Sequence, residues 1–425
     1  MSDSPGHRPP TSDVRMRGFA RRTTVEDALA WLDGNCSALP CERVPLRAAA
    51  GRTLSEPITS DVDVPDFDRA MMDGFAVRAA DVQGASSYNR LRLSIIGEAL
   101  PGRAYADPVQ PGQAVRIMTG SPLPPGADAV LPAEVAEVKG PELHALVDVS
   151  PGKHVGRRGE DVASGSRVLP SGRLLRPQDV GLLSSIGIGE VSVVRRPRVR
   201  IVVTGNELLP AGERPSGCRI PDANGPMLEA LVSRDGGIAI HPGIVPDEPA
   251  AISAALRDEA DLVLVSGGSS VGQEDYAPLL VAEHGELAIH GIAMRPSSPT
   301  GLGHVDGRVV ILLPGNPVSC LCAYDFFAGR AIRLLGGRRA QWPYHQHRLP
   351  LARKLVSVVG RLDYARVKIA QGRVEPLSIG GASVLSSTTR ADGFVVVPAD
   401  SEGYPPGAEV TVYLYDASHL AAPPL

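Results

Sequence analysis

The sequence has few aromatic residues, few cysteines and almost no excess of charge, and each shortage argues against a class of protein. Phe, Trp and Tyr make up 4% of its 425 residues, so its cores must depend on Val, Leu, Ile and Ala. The 43 basic and 47 acidic side chains give a formal charge of −4 without a block of one sign, which is unlike a nucleic-acid-binding protein. No apolar run is long enough to span a bilayer, and the N-terminus lacks the core of a signal peptide.

The cysteines are odd in number and lack the spacing of a disulfide framework or a zinc site. We therefore expect reduced thiols in a cytoplasmic protein. The chain also has 46 glycines and 39 prolines, a composition typical of proteins rich in turns and strands. Its length favours three or four domains over a single core.

The first half of the chain changes pattern several times. Residues 1–20 are polar and aperiodic, which predicts disorder. Residues 61–155 contain short strand-like runs separated by Pro and Gly, which predicts a β-rich insertion. Helical pieces lie on both sides of that insertion, in residues 21–60 and 156–196. We expect the two pieces to pack together as one discontinuous helical and linker domain.

The second half is more regular. Residues 197–337 alternate strand-like and helical segments, which predicts a doubly wound α/β domain with ligands at the carboxyl ends of its strands. Residues 338–425 contain only strand-like runs, which predicts a small C-terminal β barrel or sandwich. The predicted fold class is therefore multidomain, α/β together with β.

The stretch DLVLVSGGSSVGQEDY, residues 261–276, combines several features of a ligand site. A buried strand at 262–265 runs into the small-residue loop 266–270, and the acidic pair Glu274-Asp275 then begins a helix. Glycines allow a ligand to approach the backbone, and free amides attract anions. Asp275 would repel a phosphate unless a divalent cation lay between them. The pattern favours a phosphorylated ligand held with a metal ion; the alternative is a turn that only reverses the chain.

Two further loops follow predicted strands, at residues 204–207 and 314–317. Because parallel strands end at the same edge of a sheet, we expect these loops to converge with the first one. Glu207, Asp222 and Asp275 then supply oxygen ligands for a cation such as Mg²⁺. Asp222 and Asp275 also fit the simpler role of helix caps. The loop at 314–317 suits either a phosphate or a stiff turn.

Other charged residues allow two interpretations each. Arg295 follows a predicted strand and is the cation best placed to meet an anion, although a surface arginine is the alternative. Asp161 lies in a Gly-Glu-Asp loop that also fits a solvated run of charges. Asp68 and Asp73 lie in FDRAMMDGF, which combines polar and apolar groups and also fits a tight structural turn.

Six segments occur in an order that resembles the molybdopterin molybdenumtransferase family, which includes MoeA and the C-terminal domain of gephyrin. They are FDRAMMDGFAVR (67–78), VRIMTGSPLPPGADAV (115–130), GRRGEDV (156–162), RPRVRIVVTGNEL (196–208), SGGSSVGQEDY (266–276) and LPGNPVS (313–319).

The resemblance implies a homodimer of four-domain subunits. It places the active site between the molybdopterin-binding domain of one subunit and the β insertion of the other. The implied reaction converts adenylylated molybdopterin and molybdate, with Mg²⁺, to molybdenum cofactor and AMP. Molybdopterin adenylyltransferase and molybdoenzymes are the implied protein partners, and neither nucleic acid nor a membrane is expected.

The resemblance also implies roles for individual residues. The catalytic set is Asp161, Glu207, Asp222 and Asp275, of which the last three are the implied metal ligands. The implied substrate-binding residues are Asp68, Thr204, Gly205, Ser266, Gly267, Gly268, Arg295, Ser298, Pro314, Gly315, Asn316 and either Ser386 or Ser387.

The sequence departs from the family pattern at three places. Residues 295–299 read Arg-Pro-Ser-Ser-Pro where a Lys-Pro-Gly-Lys-Pro-like segment is usual, so Ser298 replaces a cation. Losing one charge-assisted contact lowers the affinity for an anion about ten- to a hundred-fold. Asn206 stands where aspartate is usual, and Ala70 where serine is common. These departures motivate a second hypothesis, a non-catalytic paralogue that binds or carries the cofactor. A third is an adenylyltransferase that acts one step earlier.

Overall fold

The computed structural model describes residues 22–268, 275–377 and 383–416. The N-terminal segment predicted to be disordered lies outside these residues, as do Ser269, Ser270 and Glu274 of the central loop. The chain forms two compact units. The first combines the described parts of Met1–Glu42, Gly51–Thr53 and Val194–Leu425, and the second combines Arg43–Ala50 and Leu54–Val193.

A mixed sheet forms the centre of the first unit. Its four parallel strands lie in the order Ile238–Ile240, Arg198–Thr204, Leu262–Ser266 and Arg308–Leu313, and Ile244–Val245 pairs beside the second of them. Gly301–Val305 and Gly285–His290 continue the sheet as antiparallel strands. The antiparallel edge differs from the predicted βα alternation, because the segment 301–305 was not expected to form a strand.

Helices cover both faces of this sheet, as a doubly wound fold requires. Alternate residues of the strand Arg198–Thr204 point into two different cores, with Ile201 in one and Val202 in the other. The first core contains side chains of Val25–Asn35, Asn224–Arg234, Pro317–Ala323, the π-helical turn Tyr324–Ala328 and Gly329–Leu335; the second contains side chains of Pro249–Leu256 and Ala277–His284.

The first helix begins where the sequence suggests. The Thr24 hydroxyl accepts a hydrogen bond from the Asp27 amide at 3.0 Å, which caps Val25–Asn35. Its buried residues Val25, Ala28 and Leu32 pack into the first core of the α/β sheet. Residues 156–193 belong to the other unit. This helix is not part of the core that contains Leu183 of that segment, whereas Ala49 and Leu54 of the first predicted piece are. The division into four domains stays a prediction.

The C-terminal part of the first unit is a second sheet. Its strands lie in the order Met294–Arg295, Leu362–Ala370, Gly393–Val397, Glu409–Leu414 and His345–Pro350, and Arg373–Pro376 pairs with Leu362–Ala370. Small ribbons join Leu208–Leu209 to Ile220–Pro221 and Leu355–Val356 to Gly403–Tyr404. A short helix, Ser386–Thr389, interrupts the predicted run of strands.

The second unit confirms the β-rich insertion. Its sheet has the order Ala129–Pro132, Gly74–Val77, Gln113–Ile117, Leu91–Ala99, Glu142–Ala145 and Ala136–Lys139. Smaller pairs join Ile58–Thr59 to Arg167–Leu169 and Arg69–Ala70 to Val155–Gly156. The helix Pro177–Ser185 contributes Leu183 to a separate core. The strands Cys41–Pro45 and Glu190–Val194 lie where the chain passes between the units.

Candidate functional site

A cavity of about 540 Å³ lies at the carboxyl ends of the parallel strands in the first unit. Three strand ends form its walls, because the chain turns away from the sheet after Thr204, Ser266 and Leu313. The lining residues are Val203, Thr204, Gly205, Glu207, Leu208, Ile220, Pro221, Asp222, Ala223, Asn224, Asp247, Ser266, Gly267, Gly268, Asp275, Gly315, Asn316, Pro317 and Ser383.

The predicted convergence of the loops is therefore present. The residues named from sequence that line this one cavity are Thr204, Gly205, Glu207, Asp222, Ser266, Gly267, Gly268, Asp275, Gly315 and Asn316. Gly267 has a φ of +100°, and a Cβ there would collide with the carbonyl oxygen of Thr204. Glycine is thus required for the close approach of these two loops.

Asp222 has one carboxylate oxygen committed to structure. Its Oδ1 accepts hydrogen bonds from the Asn224 and Gly225 amides, both at 2.9 Å, at the start of the helix Asn224–Arg234. The alternative role as a helix cap is therefore present in the structure. Oδ2 has no hydrogen bond to any described residue, and a Cβ on Gly225 would strike it. The same side chain can cap the helix and offer its second oxygen to a ligand.

Asp247 is a cavity residue that sequence reasoning missed. Its carboxylate accepts hydrogen bonds from the Thr204 hydroxyl and, at 3.1 Å, from the Asn206 amide. It follows the strand Ile244–Val245, which lies beside the end of Arg198–Thr204. The signal that would have found it is its place after a parallel strand, but the sequence VPDEP reads equally well as a turn before a helix.

The cavity has an acidic lining. It includes Glu207, Asp222, Asp247 and Asp275, and no lysine, arginine or histidine occurs among the described residues that line it. Because the described lining supplies carboxylates without a cationic side chain, a bound cation would lower the repulsion between them.

The predicted metal ligands share the cavity but do not form a ready-made cage. Within residues 22–268, 275–377 and 383–416, no group of three or more His, Cys, Asp or Glu side chains is close enough to hold a metal ion. The assignment of Glu207, Asp222 and Asp275 as metal ligands therefore stays a prediction. Mg²⁺ commonly uses one or two carboxylates together with waters and phosphate oxygens, and the lining fits that smaller demand.

Two predicted substrate residues lie outside this cavity and engage other partners. The Arg295 guanidinium donates from Nε to Asp363 at 2.8 Å and from Nη2 to the other oxygen of the same buried carboxylate. The strand Met294–Arg295 pairs with Leu362–Ala370, which explains the contact. Ser298 accepts a hydrogen bond from Arg22 at 2.9 Å. Two nitrogens of Arg295 therefore bind a carboxylate of the C-terminal sheet, and its role toward an anion stays a prediction.

The remaining predicted residues of the first unit also lie off the cavity. Pro314 is buried beside it, whereas Pro317 lines it. Ser386 and Ser387 begin the short helix Ser386–Thr389, where the Ser387 hydroxyl donates to the Val384 carbonyl. Among the described serines of the C-terminal part, Ser383 lines the cavity.

Asp68 belongs to a second group of charged residues, in the second unit. We define the loop cluster as Asp63, Asp66, Asp68, Arg157, Arg158 and Glu160. Asp68 accepts from Arg157 Nη1 at 2.8 Å and from the Arg158 amide at 2.9 Å, and Arg158 also contacts Asp63 at 2.7 Å. Asp161 adjoins this cluster in sequence and is exposed, and its amide donates to the Val64 carbonyl.

Hydrogen bonds perturb the ionisation of the loop cluster. The Arg158 amide, with help from the Arg157 guanidinium, lowers the pKa of Asp68. The Ser164 amide and the Arg158 side chain lower the pKa of Asp63 in the same way. In the first unit, burial raises the pKa of the Cys320 thiol, behind the cavity, to about 12. That thiol is therefore neutral near pH 7 and is a poor nucleophile. All five cysteines are free.

Family models match most of the chain in sequence order. The description "MoeA N-terminal region (domain I and II)" matches residues 23–187, "Probable molybdopterin binding domain" matches residues 200–333, and "MoeA C-terminal region (domain IV)" matches residues 348–415. The second match contains the strands that form the cavity, and none of the described helices is long and apolar enough to cross a membrane.

Known proteins are similar over the same length. The molybdopterin molybdenumtransferase 2 of Mycobacterium tuberculosis is 33% identical over 87% of this chain and 94% of its own, and the molybdopterin molybdenumtransferase of Haemophilus influenzae is 33% identical over 87% and 93%. A crystal structure of a molybdopterin biosynthesis MoeA protein from Pyrococcus horikoshii covers 93% of this chain and 100% of its own, at 33% identity and a TM-score of 0.79. The chain therefore belongs to the molybdopterin molybdenumtransferase (MoeA) family.

Proposed function

We propose that this protein inserts molybdenum into adenylylated molybdopterin, which yields molybdenum cofactor and AMP in the last step of cofactor synthesis. Membership of the family supports the proposal, as do the names of the two bacterial relatives. The observation that carries it is the acidic, glycine-walled cavity at the strand ends, which suits a phosphorylated ligand that arrives with a cation. The departures at Asn206 and Ser298 leave the carboxylates of this cavity intact.

We propose Mg²⁺ as the cation, held by one or two of the carboxylates of Glu207, Asp222 and Asp275. When bound, it would polarise the phosphate oxygens of the bond that releases AMP. The chain's own residues orient the ligand: Gly267 and Gly268 let its phosphates approach the backbone, and the helix cap fixes the direction of the Asp222 carboxylate.

We also propose a cytoplasmic homodimer in which Asp68 and Asp161 of one subunit act with the cavity of the other, as the family resemblance implies. Mixing the inactive variants Asp161→Ala and Asp275→Ala tests this. If subunits exchange, one of the two sites in each mixed dimer regains both residues, and AMP release returns. A chain that sediments only as a monomer, or a mixture that stays inactive after refolding together, would remove the shared site.

The first experiment measures AMP release from adenylylated molybdopterin with Mg²⁺ and molybdate. We expect release that depends on molybdate, ceases with a chelator and is lost in Asp275→Ala. The matched control is Asp400→Ala, which removes an exposed carboxylate outside the cavity and should behave as the unaltered chain does. Tight binding of molybdopterin without AMP release would instead identify a carrier and refute the transferase.

A further inference from the structure

Asn224 connects two walls of the cavity through one side chain. It is the first residue of the helix Asn224–Arg234 and is 7% exposed. Its Nδ2 donates to the Ser266 hydroxyl at 2.9 Å and to the Gly315 carbonyl at 2.7 Å. Ser266 ends one central strand, and Gly315 follows the end of the next. The sheet pairs the two strands as far as Ser266 and Leu313, and the planar amide continues that connection into the loop at Gly315.

The orientation of this amide follows from its partners. The Gly315 carbonyl can only accept, so the nitrogen of Asn224 must face it. The two hydrogens of that nitrogen are then both used, one for each wall. The helix start is itself fixed, because the Asp222 carboxylate accepts from the Asn224 amide. The backbone of Asn224 is thus held by Asp222, and its side chain is held by Ser266 and Gly315.

The other atom of the amide differs from the nitrogen. Asn224 Oδ1 is buried and accepts no hydrogen bond from any residue that the structure describes. A buried acceptor without a donor lowers stability, and the energy gained from the two donated bonds is offset by this loss. Folding stability alone therefore does not account for an asparagine at this position, as it does for an ordinary core residue.

We propose that Asn224 is a positioning residue, which holds the Ser266 and Gly315 walls at the separation that a phosphorylated ligand requires. The inference rests on the proposed function and deepens it. Asn224 acts through the two loops: Gly267 and Gly268 continue from Ser266, and Asn316 continues from Gly315, and all three line the cavity. Without the amide the loops beyond these paired strand ends lose one connection, and the ligand must order them at a cost in affinity.

The test compares Asn224→Ala, Ser266→Ala and the double variant, with Asn35→Ala as the matched control. Asn35 also donates from Nδ2 to a backbone carbonyl, that of Trp31 at 2.7 Å, but at an exposed helix end. Purified full-length protein is measured for molybdopterin Kd, for KM and kcat of AMP release, and for the midpoint of thermal unfolding. Ser266→Ala removes one bond of the same bridge and leaves the helix start unaltered. It replaces Asn224→Ala in the test if that variant does not fold.

We expect Asn224→Ala to raise the molybdopterin Kd and the KM for adenylylated molybdopterin about tenfold, with a smaller change in kcat and an unfolding midpoint near that of the unaltered chain. The double variant should be no worse than Asn224→Ala, because both substitutions break one bridge. Asn35→Ala should leave Kd and KM unaltered.

Three results would overturn the inference. They are an unchanged Kd in Asn224→Ala, losses of affinity that add in the double variant, and a lowered unfolding midpoint with normal affinity in the folded protein. If the unaltered chain binds molybdopterin but releases no AMP, the proposed transferase activity is refuted. The comparison of molybdopterin Kd values between the variants then still decides the role of Asn224. A chain that neither binds nor reacts refutes both.

Discussion

Carboxylates are concentrated in two regions of this protein, and the two regions treat their charge in opposite ways. In the loop cluster, Asp63 and Asp68 accept from arginine side chains and from backbone amides. Glu160 likewise accepts from Arg69 at 3.1 Å. In the cavity, the described lining contains four carboxylates and no basic side chain, and the hydrogen bonds to Asp222 come from backbone amides.

The difference shows what each region is suited to do. A carboxylate that faces an arginine has its charge balanced within the chain, so it stabilises a loop and has little need of a further cation. Carboxylates that share a cavity without an arginine or lysine repel one another, and a cation from solution relieves that repulsion. The comparison therefore favours the cavity as the place where a cation binds, and it gives the ion pairs of the cluster a role in ordering the loop that carries Asp68.

The largest effect is expected for Asp222→Asn. The amide oxygen can still cap the helix, so the unfolding free energy should change by less than about 1 kcal/mol. The lost charge should lower kcat/KM for AMP release about a hundredfold, because a charge-assisted contact is worth roughly 1.5–3 kcal/mol. AMP release and thermal unfolding, measured on the same preparation, check both parts.

Asp222→Ala is the companion variant, since it removes the cap as well as the charge. We expect the same loss of activity and an additional loss of about 1 kcal/mol in stability. If Asp222→Asn instead keeps full activity, the aspartate is only a cap, and the cavity loses one of its proposed metal ligands.

A smaller effect, on stability, is expected for Asp179→Asn in the second unit. This carboxylate is 4% exposed and accepts from Arg173 and Arg176 at 2.9–3.1 Å. Burial alone would raise its pKa, but the hydrogen bonds from Arg176 and Arg173 outweigh burial and hold the pKa well below its usual range. The substitution should cost about 2 kcal/mol of unfolding free energy, because both arginines lose a charged acceptor.

The pH dependence of that loss has a definite sign. A lowered folded pKa means that Asp179 stabilises the fold fully above its unfolded pKa of about 3.9, and that this contribution disappears as pH falls toward the folded value. Denaturant unfolding between pH 7 and pH 3 should therefore show the variant and the unaltered chain approaching each other at the acid end. A constant difference across that range would mean that the carboxylate charge is not what stabilises the helix Pro177–Ser185.

The sequence predicted the cavity well because parallel strands impose a geometry. If residues 262–265 form a strand that ends at glycines, the loop after it must lie beside the loops of the neighbouring parallel strands. That placement brings Glu207, Asp222 and Asp275 to one cavity. Asp247 was not predicted as a cavity residue because the strand before it, Ile244–Val245, is too short to give a periodic pattern.

Contacts between distant segments were not predictable in the same way. Arg295 was expected to face an anion, but its partner Asp363 lies 68 positions later, in a sheet whose pairing no local pattern reveals. The strand Gly301–Val305 was missed because two of its five residues are glycines, which are rare in strands. Ser383, rather than Ser386 or Ser387, lines the cavity because of the turn before the short helix, and a motif match does not resolve a shift of three residues.

The smallest effect is expected for Asp68→Asn, and it tests the comparison most directly. The amide oxygen can still accept from the Arg158 backbone, while the ion pair with the exposed Arg157 is lost, and such pairs contribute at most about 1 kcal/mol. Salt should reduce the difference in unfolding free energy further, because it screens exposed charges. Because this carboxylate is already balanced by arginine, we expect kcat/KM for AMP release to fall by less than about tenfold, well short of the loss in Asp222→Asn. A loss as large as that of Asp222→Asn would mean that Asp68 leaves its arginine during the reaction, so that the static pairing of a carboxylate does not decide which region binds the ligand.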